Sequence, residues 1–163
     1  MSPGLVVLVV AVLATAAVGV WRATHDGRFR TRRAREDSGS PGSPAQQAAA
    51  DAPAAPTAWE SVAASVPDVA PGSVGTLLQF SSAFCAPCRA TRRVLGEVAE
   101  VVPGVAHVEV DAEEHLQLTR TLGILRTPTT LVLDAAGREV SRAGGVPGKP
   151  QVINALGAAA EPR

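Results

Sequence analysis

Cys85 and Cys88 are the only two cysteines in a chain of 163 residues, and they stand three positions apart in Cys85-Ala86-Pro87-Cys88. Two thiols at that spacing can form half of a metal site or a reversible dithiol–disulfide pair. A structural zinc site takes four ligands, usually Cys and His. His25, His107 and His115 are scattered and hold no ligand spacing to the pair. Two cysteines are also too few for a disulfide scaffold. Thiol–disulfide exchange remains. One thiolate attacks a substrate disulfide, and the second thiol attacks the mixed disulfide and releases the partner. The pair is its own redox centre, so no metal and no cofactor are expected.

Exchange of this kind needs the two thiols held differently by the elements around them. Gly75-Thr76-Leu77-Leu78-Gln79-Phe80 is a short apolar run after a Gly/Pro break, which predicts a buried strand. From Pro87 to Val102, the residues Val94, Leu95, Val98, Val101 and Val102 recur at helical spacing, and Pro103-Gly104 ends the helix. The cysteines fall at the strand-to-helix junction. A thiolate there faces unpaired backbone N–H groups and the positive end of the helix dipole. Cys85, ahead of the helix, is expected to be the exposed attacker. Cys88, one turn in, is expected to be the buried thiol that releases the partner. Pro87 costs little in the first helical turn.

Val105 to Val110 alternates and is β-rich, which predicts a second strand. Asp111, Glu113 and Glu114 are expected to open a helix running to Leu122, where acidic side chains suit the helix dipole. Thr129 to Leu133 reads as a strand, Asp134-Ala135-Ala136-Gly137 as a turn, and Arg138 to Arg142 as the hairpin partner. A last helix starts near Pro150. The order β, α, β, α, β, β, α implies an α/β fold with a mixed sheet covered by helices. From Trp59 onward the chain is mildly acidic, with nine basic and eleven acidic residues, so it offers no footprint for nucleic acid. Arg89, Arg92 and Arg93 after the pair read as a solvated helix face, and as a docking patch for an acidic partner on the sharper reading. His107 reads as a structural histidine on a strand face. Asp111, Glu113, Glu114 and His115 read as helix-capping groups and not as a metal cluster.

The segment from about Trp59 to Leu156 resembles the thioredoxin family. Phe84-Cys85-Ala86-Pro87-Cys88-Arg89 is similar to that family's Trp-Cys-Gly-Pro-Cys-Lys active site, with three positions altered. Thr127-Pro128-Thr129 matches its cis-proline segment, and Gly144-Gly145 the glycine before its final helix. The resemblance implies a thioredoxin-like fold and an enzyme of the thiol–disulfide oxidoreductase class, with Cys85 and Cys88 catalytic. It implies that Phe84, Ala86, Pro87, Thr127 and Pro128 contact substrate, that Thr127 presents its backbone to a bound peptide, and that the bond before Pro128 is cis. Its partners would be protein dithiols and disulfides together with an electron donor. The family's buried aspartate in the strand before the active site falls on Gln79, which cannot accept a proton. Release of the mixed disulfide would then be slower, or a water or another carboxylate would substitute for it. The family's following Trp falls on Ser81. Both departures point to a specialised exchanger.

The other end of the chain carries no such chemistry. Residues 1–4 form a tail, and Leu5 to Trp21 are apolar apart from Thr15, enough to cross a bilayer. Ala14-Thr15-Ala16 resembles a signal-peptide cleavage site, but no Lys or Arg precedes the apolar run, which favours an uncleaved single-pass anchor in a cell membrane. Arg22, Arg28, Arg30, Arg32, Arg33 and Arg35 follow it. This asymmetry favours a cytoplasmic C-terminal domain, and the arginines suit anionic lipid headgroups. Residues 22–57 therefore read as a basic juxtamembrane segment and a flexible linker rich in Ser, Gly, Pro and Ala. Residues 58–163 read as the folded domain. The abundance of Ala, Val, Arg and Gly suggests a GC-rich bacterial genome. The leading expectation is a disulfide reductase on the cytoplasmic side of a membrane. One alternative places the domain outside, serving cytochrome c maturation or disulfide handling. The other is a non-catalytic interaction module, for which Gln79 and Ser81 speak.

Overall fold

The computed structural model of the chain describes residues 3–25, 28–31 and 56–161. Most of the expected linker, residues 32–55, lies outside the described residues. In chain order the elements are α1 (Pro3–His25), β1 (Arg30–Thr31), α2 (Ala58–Ala63), β2 (Gly75–Ser81), α3 (Ala86–Val101), β3 (Val105–Asp111), α4 (Leu116–Thr121), β4 (Thr129–Asp134), β5 (Glu139–Gly144) and α5 (Lys149–Ala160).

The strand order is β1-β5-β4-β2-β3: β2 is an interior strand, parallel to β3 and antiparallel to β4, and β4 pairs antiparallel with β5. The sheet is mixed, as its element order implies. Alternation along each strand divides the apolar side chains between two cores. Leu78, Phe80, Val108, Val110, Leu131 and Leu133 face α2 and α4. Leu77 and Val132 face the other way, against Leu95 and Val98 of α3 and Val152 and Leu156 of α5. Lys149 at the start of α5 pairs with Glu97 of α3 and joins these two helices at the surface.

α2 begins with a capping box. The Glu60 N–H donates to Thr57 Oγ1 at 3.1 Å, and the Thr57 N–H donates to Glu60 Oε2 at 2.6 Å. The Trp59 N–H then donates to the Gly137 carbonyl at 3.0 Å, tying α2 to the β4–β5 turn. Gly137 has φ +75°, and a Cβ there would stand 2.5 Å from Trp59 Cβ, so the turn requires glycine.

Three expectations change. The helix expected from Asp111 starts only at Leu116, because Asp111 Oδ1 accepts the Glu113 N–H at 2.8 Å and closes a local turn instead of capping a helix. The juxtamembrane segment supplies β1, which pairs with β5 through Arg30 opposite Arg142 and Thr31 opposite Ser141. Phe29 packs on the α3–α5 core beside it. Finally, no helix among the described residues is long and apolar enough to cross a membrane. α1 has 23 residues. Its last turn carries the polar Arg22, Thr24 and His25, so its apolar stretch is shorter than the helix. The expected transmembrane anchor over 5–21 is therefore not supported. That stretch does present an exposed aliphatic surface, including Leu5, Val7, Leu8, Val10 and Leu13.

Candidate functional site

β2 ends at Ser81, and four residues later Cys85 becomes the N-cap of α3, with an extended backbone (φ −104°, ψ 97°). Its sulfur takes the part that an oxygen plays in an ordinary cap: the Cys88 N–H donates to Cys85 Sγ at 3.1 Å. The two sulfurs form a disulfide, with S–S 2.09 Å and Cα–Cα 5.2 Å. Cys85 is half-buried, Cys88 is only 2% exposed, and Ala86 and Pro87 are exposed between them. In the reduced pair a charge on Cys85 would meet a backbone N–H and the helix dipole, which favour thiolate over thiol. The buried Cys88 is shielded from solvent and bonded to Cys85.

Two further loops meet this one. The Thr127–Pro128 peptide bond is cis. Ser82 Oγ lies 3.1 Å from Thr127 Oγ1, and the Gly145 N–H donates to the Pro128 carbonyl at 2.9 Å, with Gly145 at φ +88°. These bonds hold residues 82–85, 125–128 and 144–146 together around the pair. Each loop exposes an apolar side chain: Phe84, Leu125 and Val146. Phe84 was legible beside the cysteines. Leu125 and Val146 were not singled out in the sequence, although an apolar residue just before the Thr-Pro segment is the signal that could have found Leu125. Clustered exposed apolar side chains mark contact surfaces.

A polar layer lies beneath Cys88 in an otherwise aliphatic core. Gln79 of β2 is fully buried. Its Nε2 donates to the Cys88 carbonyl at 3.0 Å and to Glu109 Oε1 at 3.4 Å, and its Oε1 lies 3.2 Å from His107 Nε2. The amide oxygen can only accept, so His107 Nε2 carries the proton of this bond. Glu109 also takes a two-pronged ion pair from Arg92 of α3, with Arg92 Nη2 2.7 Å from Oε1. Arg92 thus has a partner on the expected solvated face, where Arg89, Arg92 and Arg93 are all exposed. Thr91 of α3 and Thr130, the β4 residue opposite Gln79, are also fully buried, and their hydroxyls have no hydrogen-bond partner.

Burial lowers the pKa of His107, with the charge of Glu109 opposing this and that of Arg92 adding to it. Burial acts to raise the pKa of Glu109, but hydrogen bonds from Arg92 and Ser81 and the Arg92 charge outweigh it, so the carboxylate is held below its ordinary range. The layer at rest is a neutral imidazole, a neutral amide and a paired carboxylate. Among the described residues no group of three or more His, Cys, Asp or Glu side chains is placed to hold a metal ion.

A family model described as Thioredoxin matches residues 64–157, which include both cysteines and Pro128. Among curated proteins the chain is 34% identical to a thioredoxin of Alicyclobacillus acidocaldarius subsp. acidocaldarius over 82 residues, 50% of this chain and 77% of that one. It is 35% identical to Thioredoxin H2-1 of Oryza sativa subsp. japonica over 66 residues, 40% of this chain. That match spans about half of the rice protein, 47% of its length. Among solved structures, a mutant thioredoxin from Halobacterium salinarum NRC-1 superposes with a TM-score of 0.51 at 21% identity, covering 56% of this chain and 79% of that one, a likeness of fold.

Proposed function

The chain belongs to the thioredoxin family, and on that premise we propose that it is a thiol–disulfide oxidoreductase working as a protein-disulfide reductase. The observation that carries this is the unequal environment of one disulfide. Cys85 caps a helix from a half-buried position, and Cys88 stands behind it, 2% exposed. In the reduced protein the Cys85 thiolate attacks a substrate disulfide, forming a Cys85–substrate bond and expelling the first substrate thiolate. Cys88 then attacks Cys85 Sγ, the Cys85–Cys88 disulfide forms, and the second substrate thiolate leaves. The substrate gains two electrons and the pair loses two. A separate electron donor returns the pair to the dithiol. Protein substrates fit the rim of Phe84, Leu125 and Val146, which offers apolar contact beside Thr127 and Pro128.

A location belongs to the same reading: attachment to a cell membrane through α1, with the domain on the cytoplasmic side. The exposed aliphatic surface of residues 5–18 supports attachment, and the arginines that follow suit the anionic lipids of a cytoplasmic leaflet. The poise of a reducing compartment favours the reductase direction.

Trapping tests the chemistry. The full chain carrying Cys88→Ser should accumulate mixed disulfides with protein substrates through Cys85, and Cys85→Ser should trap none. Equal trapping by both variants would leave the pair without this order of attack and favour a non-catalytic scaffold. Fractionation of the producing cell, with a reporter fused after residue 163, tests the location. Recovery of the full chain without membranes would remove attachment, and activity of an outside-only reporter would reverse the side.

A further inference from the structure

The release step has a proton to place. Cys88 must ionise before it can attack the mixed disulfide, and it is buried away from solvent. Gln79, the side chain that touches its backbone, cannot accept a proton. One residue further, Gln79 Oε1 meets His107 Nε2 at 3.2 Å, and His107 is the member of the layer whose charge changes nearest neutral pH.

We propose that His107 is a positioning residue for release: through Gln79 it is coupled to Cys88, taking up a proton as the buried thiol gives one up. The inference rests on the exchange reading of the Cys85–Cys88 pair. The charged groups acting on His107 are Glu109 on its own strand and Arg92 on α3, while the uncharged Gln79 faces it from β2. Arg92 and Glu109 form an ion pair and nearly cancel, so the layer has no spare positive charge at rest. A thiolate at the buried Cys88 brings a negative charge beside this partly buried layer, and a nearby negative charge favours the imidazolium. With Nε2 already donating to Gln79, the incoming proton goes to Nδ1.

The step balances. The Cys88 S–H proton is lost and one proton is bound at His107 Nδ1, so the charge of the layer does not change. Cys88 Sγ bonds to Cys85 Sγ, the Cys85–substrate bond breaks, and the leaving thiolate takes up a proton as His107 releases its own. The Gln79 amide moves no proton. It holds the imidazole ring and the first turn of α3 in fixed relation, so that the two ionisations feel each other.

The test follows release from a Cys85 mixed disulfide with a small aromatic thiol, in the full chain, by the absorbance of the freed thiol across pH. His107→Gln keeps a donor for Gln79 but cannot titrate. Release by this variant should be about tenfold slower at pH 7, with the midpoint of its pH profile raised by about one unit, while the attack of Cys85 is unchanged. Glu109→Gln should move the midpoint less. A His107→Gln profile that coincides with wild type would overturn the coupling, because a side chain that only fills space is replaced by Gln without such an effect. Should the variant fail to fold, the ring signals of His107 in the unmodified chain decide by NMR. Its titration midpoint must be higher in the form with Cys88 ionised than in the disulfide form, and equal midpoints would overturn the proposal. A wild type that exchanges no disulfide would overturn the reading of the pair, whereas normal exchange with an unmoved His107→Gln profile would overturn only the coupling.

Discussion

The two faces of the sheet are built from the same strands yet carry different kinds of side chain. Toward α2 and α4, Leu78, Phe80, Val108, Val110, Leu131 and Leu133 form an apolar surface, and the buried Thr76 and Thr129 at its edges each have a hydrogen-bond partner. Toward α3 and α5, Leu77, Val132, Leu95 and Val98 are joined by Gln79, Thr130 and Thr91, with His107 and Glu109 at the margin. Burying polar groups costs free energy unless each finds a partner. Two of these, the Thr91 and Thr130 hydroxyls, find none. A face selected only for stability would resemble the first. The second accepts the cost where it backs onto Cys88, which teaches that one face holds the fold and the other serves the thiol pair.

Substitutions can break this division. The largest effect on activity belongs to the pair itself: Cys85→Ser should abolish disulfide reduction, measured as turnover of a disulfide-bonded protein with dithiothreitol as the electron source. The largest effect on stability belongs to the apolar face. Phe80→Ala should cost about 3–5 kcal/mol in denaturant unfolding, while the molecules still folded keep a near-normal rate of Cys85 attack. Gln79→Ala should do the reverse. Its cost in stability is about 1–3 kcal/mol, from polar partners left unmet, and its release step slows more than its attack step. If Gln79→Ala left release untouched, the two faces would differ in composition and not in task.

A smaller effect sharpens the comparison through pH. The pKa of His107 is lowered from 6.5 in the folded state, so the unfolded chain binds a proton first as pH falls. The stability this group allows is full above its ordinary value and declines as pH drops below it. His107→Gln should flatten that decline in unfolding curves recorded between about pH 7 and pH 5. Glu109 acts at lower pH with the same sign. Its depressed pKa supports the fold above its ordinary value of 4.5, and that support is lost as acid protonates it. The smallest effect is at the rim. Leu125→Ser should weaken protein substrates by about 1 kcal/mol, as a higher KM with little change in kcat, and leave small disulfides unaffected.

Much of the aliphatic face was legible in the sequence, because strand alternation and the helical recurrence of Val94, Leu95 and Val98 are local signals. The strand-to-helix placement of Cys85 and Cys88 was legible for the same reason. The start of α4 was misjudged because Asp111 and a helix N-cap use the same side-chain chemistry, and only the chain path tells an Asx turn from a cap. α2 was overlooked although Thr57-Ala58-Trp59-Glu60 spells a capping box. β1 carried no local signal, since Arg30 and Thr31 become a strand only by meeting β5. The polar layer was hidden by sequence distance. Gln79 and His107 are 28 residues apart, and Arg92 and Glu109 are 17 apart. Parallel pairing of β2 with β3 brings Gln79 opposite Glu109, which no periodicity within either strand reveals.

The measurement that tests the central claim most directly is the midpoint potential of the Cys85–Cys88 pair in the full chain, by equilibration in glutathione buffers. A protein-disulfide reductase predicts a reversible two-electron couple near or below about −250 mV. A couple above about −180 mV would contradict the reductase and make the pair an oxidant or isomerase, and a pair that never forms its disulfide in solution would contradict thiol exchange altogether.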